Sequence, residues 1–283
     1  MPALSSSLAR SVRVLGLAGA LAGLGAPAAR AQLRPLDPAE WRVWEEGRSV
    51  VAGVGGGVFA DQRASLAGVE GRLVEGGSFT VALRTGRVAF EAGGTVQRFF
   101  RDEREFAAPV GDARPDDDGR RHDSGDYRIA TVVRLTPETA PALAVLRFGT
   151  RLPTTDNKVG LDRDALDFFA LLGGRVRRGA LAAGAEAGIS IDGTRDPGWE
   201  QRDVLVYALA AEYAALPGLV PTLSLVGNVP GLPDRAPRGN EDLGEVRLGV
   251  RAGGRRWVRV ELVRGYTQFS PSAGVIVAAG IAR

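Results

Sequence analysis

The chain of 283 residues contains no cysteine. That excludes disulfides, zinc–thiolate sites and thiol nucleophiles. A chain of this length without cross-links must take its stability from a large fold. Histidine occurs once, at His122, and lysine once, at Lys158. After the first 31 residues there is no run of 18 or more apolar residues, so no helix of the mature sequence is expected to cross a membrane. The 39 glycines disfavour long soluble helices as well.

What is present begins with an address. Arg10 and Arg13 form a positive region, and Val14 to Gly25 is an apolar run. Ala29-Arg30-Ala31 then puts small residues at both positions that a signal peptidase reads. This is the layout of a secretory signal peptide, and it predicts cleavage before Gln32. The apolar run, at 1.5 Å per residue, covers about 18 Å of a hydrocarbon core of about 30 Å, which is too short to span it. The expected organisation is residues 1–31 as signal and 32–283 as one domain. The signal carries three arginines and no acid, so the mature chain balances 33 basic against 33 acidic residues. The net charge of +3 is therefore no argument for a nucleic-acid partner.

The mature chain alternates apolar and polar residues with period two, which means strands. Tyr127, Ile129, Thr131, Val133 and Leu135 face one way, and Arg128, Ala130, Val132 and Arg134 the other. Leu205–Tyr213, Gly244–Arg251 and Val258–Leu262 repeat the pattern. The connections add more. From Thr85-Gly86 onward, short links (137–140, 177–179, 215–218, 253–255) alternate with long polar ones (101–126, 151–164, 192–202, 229–242, 266–272). Tight turns at one end and long loops at the other are the arrangement of a transmembrane up-and-down antiparallel β-barrel of the outer-membrane type, all-β, with short turns on the periplasmic side. A soluble sandwich has no reason to sort its loops in this way. With an outward strand at roughly 48–58, the expected count is twelve. Residues 59–77 read either as a loop or as one more hairpin, which would make fourteen.

Phe99, Phe100, Tyr127, Phe148, Phe168, Phe169, Tyr266 and Phe269 fall near the expected outer strand ends, and Tyr213 and Trp257 near the inner ends. Rings at both ends suggest interfacial girdles. The C-terminus, Gly280-Ile281-Ala282-Arg283, lacks the final aromatic residue common in such barrels.

Phe148-Gly149-Thr150-Arg151-Leu152-Pro153, an acidic loop with glycine, and then Asp167-Phe168-Phe169 resemble a motif of one group of outer-membrane barrels. These are the transporter-like proteins named for a putative meta-pathway of phenol degradation. The resemblance covers about 25 residues. It implies passage of small molecules, hydrophobic ones included, and no named substrate.

His122 stands beside Asp123 and Ser124, a pairing reminiscent of lipid hydrolases, but a nucleophile and base need a fold to orient them and these lie in a polar loop. Asp116, Asp117 and Asp118 fail the EF-hand spacing, which leaves surface calcium as the alternative. No catalytic, metal or cofactor site is expected. By parity, Glu91, Arg128, Arg134, Arg147, Arg175, Glu186, Glu212, Glu245, Arg247, Arg251, Arg259 and Glu261 face the lumen. A hairpin turning at 253–255 puts Arg247 opposite Glu261. These charges either staple a narrow interior or line a conduit. The reading is a passive outer-membrane channel for small-molecule solutes, without catalysis. Its partners would be outer-membrane lipids and the barrel-insertion machinery of a Gram-negative type cell, with no nucleic acid. The alternatives are a plugged structural or surface-binding barrel, or a lipid-acting enzyme.

Overall fold

A computed structural model of the chain describes residues 29–30, 33–111, 113–154, 158–193, 201–214, 216–231 and 238–283. The expected signal peptide lies outside the described residues except for Ala29–Arg30, which pair with Arg163–Asp164. Cleavage before Gln32 would remove that pairing.

Twelve long antiparallel strands form a ring among the described residues. They are β1 (Val50–Ala64), β2 (Val69–Thr85), β3 (Val88–Glu105), β4 (Tyr127–Arg134), β5 (Ala142–Leu152) and β6 (Asp167–Arg178). Next come β7 (Leu181–Gly193), β8 (Gln201–Tyr213), β9 (Leu219–Pro230), β10 (Leu243–Gly253), β11 (Arg256–Gly265) and β12 (Ala273–Ala282). Each pairs with its neighbour in sequence, and β12 closes on β1 from Ala273 opposite Ala60 to Ala282 opposite Val51. Closure leaves no sheet edge, which is what a spanning sheet needs in hydrocarbon. A thirteenth, four-residue strand, Arg120–Asp123, adds to the outer part of β3.

Alternation places the apolar set outside. Leu205 and Leu209 on β8, Leu248 on β10, and Val260 and Leu262 on β11 are all exposed, while Ala130 and Val132 on β4 and Val204 and Val206 on β8 are buried. Short turns gather at one end. Gly86-Arg87 and Gly179-Ala180 each close a two-residue hairpin, with Gly86 and Gly179 in the left-handed region that glycine adopts freely.

Three expectations change. The region 59–77 is neither a loop nor an extra hairpin: β1 and β2 continue to Ala64 and from Val69, joined by a tight turn ending at Gly68 (φ 71°). The long-loop end thus contains one short connection. The β10–β11 hairpin is also shifted. Gly253 adopts φ 100° and pairs with Trp257, so Arg247 faces Val263 and Gly249 faces Glu261. Finally, Phe100, Phe169 and Trp257 are inside the barrel, whereas Phe99, Phe148, Phe168, Tyr213 and Tyr266 are exposed outside. The inner three are core residues rather than girdle.

Candidate functional site

The lumen contains a segment of the chain's own N-terminus. Pro35 and Pro38 cannot donate to a ladder, so the residues before β1 do not join the sheet. They run through the interior as a strap from Leu33 to Ser49. Leu33 packs with Phe59, Leu73, Phe100 and Val263 toward the long-loop end. Trp41, Val43 and Trp44 pack with Val51, Ala82, Val132, Trp257 and Ala282 toward the short-turn end. A 3-10 turn, Trp41–Trp44, forms there, with the Glu40 carboxylate accepting from the backbone N–H of Arg42. The strap leaves the barrel where Ser49 and Val50 donate to the Arg283 carbonyl at 2.6 and 2.7 Å.

Charged side chains from around the ring hold the strap. Arg34 lies 3.9 Å over the Phe59 ring and donates to Glu245, with a 2.7 Å bond to Oε2. Asp37 accepts from Arg247 at 2.7 Å and from Arg128 at 3.0 Å, and its carbonyl accepts from Arg147 at 3.0 Å. The backbone N–H of Ala39 donates to Glu186 at 3.2 Å, and that of Glu40 to Glu91 at 2.8 Å. Glu45 accepts from Arg175 at 3.3 Å and from Arg177 at 3.0 Å. The Arg42 guanidinium sits 4.3 Å over the Trp257 ring. Trp257 fits there because Gly53 and Gly280 leave it room: a Cβ on either would come within 2.7 Å of the ring.

Seven of the twelve residues expected in the lumen therefore touch the strap: Glu91, Arg128, Arg147, Arg175, Glu186, Glu245 and Arg247. Glu212 bridges Arg175 and Arg251 at 2.8 and 3.3 Å. Arg259 pairs with Glu261 at 3.4 Å, so the expected Arg247–Glu261 pair is replaced on both sides. Arg134 donates to the carbonyls of Thr136, Pro137 and Glu138 in the adjoining turn.

Above the strap, toward the long loops, a second buried group was not anticipated. Arg98 on β3 bonds Glu75 at 3.1 Å and also contacts Asp162. Arg151 bonds Asp167 at 2.8 Å and approaches Asp126 at 3.6 Å. Arg151 and Asp167 are direct cross-strand partners, so the two ends of the Arg-Leu-Pro…Asp-Phe-Phe motif meet. Asp126, Asp162 and Asp167 lie at or beyond strand ends, where period-two reading stops. A cavity of about 240 Å³ remains beside the strap, lined by Arg34, Asp37, Arg98, Arg128, Arg247 and Glu261 among others.

His122 and Ser124 each have a different partner. His122 Nδ1 faces Asp116 at 2.5 Å, while Ser124 donates to the Thr154 carbonyl at 2.6 Å. No group of three or more potential metal ligands occurs among the described residues.

No protein-family model matches the chain, and no curated protein matches it in sequence. Solved structures do match in shape. An outer membrane channel from Pseudomonas putida F1 superposes with a TM-score of 0.58 at 12% identity, covering 88% of this chain and 100% of that one. A monoaromatic hydrocarbon channel, CymD, gives a TM-score of 0.43 at 10% identity over 92% and 94% of the two chains. Outer membrane phospholipase A from Escherichia coli gives 0.41 at 12% identity over 83% and 89%. At 12% identity the first of these likenesses is one of fold alone, a closed antiparallel β-barrel.

Proposed function

We propose that the chain is a passive outer-membrane channel for small molecules, narrowed by its own N-terminal strap and performing no chemistry. The observation that carries this is the cavity of about 240 Å³ left between the strap and a wall of charges of both signs. Twelve strands enclose more room than an eight-stranded barrel filled by side chains, and here the surplus is shared between strap and cavity. The fold likeness to an outer membrane channel supports the same reading. So does the motif resemblance around Phe148–Pro153 and Asp167–Phe169, which extends the solutes to hydrophobic ones. The export signal, the outer-membrane location and delivery by the insertion machinery belong to this proposal.

The competing reading is a plugged barrel acting through its loops, favoured by the number of ion pairs on the strap. Single-channel conductance of the refolded 32–283 chain in a planar bilayer separates the two. Discrete steps are expected. A folded barrel that passes neither ions nor small sugars in swelling assays would overturn the channel reading.

A further inference from the structure

The outer wall of the β1–β3 sector carries a feature that neither the strap nor the lumen uses. Leu83 opposite Phe90 marks the low end of its apolar band, and Val58, Val74 and Phe99, in register with one another, mark the high end. Nine residues separate Leu83 from Val74. At about 3.4 Å per residue and a tilt of about 40°, that is a height of about 23 Å, close to the apolar band of an outer-membrane barrel.

One step farther toward the long loops, on the same outer face, Arg72 stands directly opposite Arg101, and Arg101 directly opposite Arg120. All three are exposed. Like charges facing each other across strands repel. Arg72 has Glu103 at 3.0 Å, but Arg101 and Arg120 have no carboxylate partner among the described residues. Three neighbouring acids are committed elsewhere. Glu70 takes Arg63 at 2.8 Å and Arg104 at 2.5 Å, Asp116 takes His122, and Asp102 points inward onto Arg121. The guanidinium row lies just above an apolar band, with Phe99 directly below it, and presents positive charge at the height where lipid headgroups meet the wall.

We infer that Arg72, Arg101 and Arg120 bind the phosphoryl groups of an outer-leaflet phosphoglycolipid, whose acyl chains lie over Val58, Val74 and Phe99. Guanidinium forks match phosphate oxygens in geometry and charge. The inference rests on the proposed outer-membrane orientation but not on conduction, so a silent barrel would leave it standing.

The test is titration of the refolded barrel in neutral detergent with bisphosphorylated lipid A, read as the upward shift of the thermal unfolding midpoint. The R72Q/R101Q/R120Q variant is expected to need about tenfold or more lipid A for the same shift. R178Q, at the opposite end of the barrel, should titrate as the parent does. Should the triple variant not refold, R101Q against R101K decides, with a weakened titration in the first and a largely retained one in the second. An unchanged titration of the arginine variants, or an equal shift with dephosphorylated lipid A, overturns the site. A full shift with inorganic phosphate at the same phosphate concentration would mean that the row takes free phosphate, and would overturn the lipid assignment.

Discussion

Leu248 and Arg247 are adjacent in sequence and lie on opposite sides of the wall. Leu248 is 58% exposed on the outside, opposite Leu262. Replacing it with arginine puts a charge into the apolar band and should cost about 2–4 kcal/mol near the midplane. Denaturant unfolding from lipid vesicles measures this. Arg247 is buried between Asp37 and Glu245. Replacement by leucine removes one partner from each carboxylate. Glu245 keeps Arg34 and Asp37 keeps Arg128, so neither is abandoned. The expected loss is about 1–3 kcal/mol, the cost of a weakened buried polar contact rather than of an isolated charge. Its signature differs as well. R247L should still insert and show the heat-resistant mobility of a folded barrel, while protease added to the folded protein should cut the strap faster than in the parent. L248R should lower stability and leave the strap protected.

At the scale of elements, the strap and the wall are fitted through glycines. Gly53 on β1 and Gly280 on β12 leave room for the Trp257 ring, and Arg42 of the strap stacks on that ring. Gly53→Val should displace the ring, break the stacking and loosen the short-turn end of the strap, with the β content retained. Tryptophan fluorescence should shift to the red as Trp257 gains water. An unchanged spectrum would mean that the ring is held by the wall alone. The strands themselves were readable because each alternates across the wall; parity put Glu186 and Arg247 on one face without any knowledge of their partners, and the structure buries both. The register of β10 and β11 was not readable, since the left-handed turn at Gly253 moves each pairing by two residues. Leu33–Ser49 was not readable either. Two prolines and the lack of a period make it look like a linker. The clue it does carry is two tryptophans, Trp41 and Trp44, for which no strand accounts. Phe100, Phe169 and Trp257 were misplaced because position along a strand was used where parity should have decided the face.

For the whole molecule, the strap's attachment governs how much of the lumen stays open and so, on the proposed channel reading, how wide the passage is. It is tied along its length: Arg34 to Glu245 near the long loops, Asp37 to Arg247 and Arg128 midway with Ala39 and Glu40 on Glu186 and Glu91, and Trp41 to Trp44 in the apolar cluster near the short turns, where Glu45 meets Arg175. Contacts at separate heights contribute nearly independently, so losing one leaves the strap in place most of the time. D37N alone should therefore change the mean conductance little. R34Q combined with D37N loosens the outer part of the strap, which Leu33, the Asp37 carbonyl and the backbone N–H groups of Ala39 and Glu40 then hold without those two side chains. That variant should show larger and noisier current steps than the parent and faster swelling of vesicles in small sugars. If the double variant conducts as the parent does, the current passes beside a strap that does not move, through the cavity lined by Arg98 and Glu261. Charge reversal at those two residues, rather than release of the strap, would then set the ion preference.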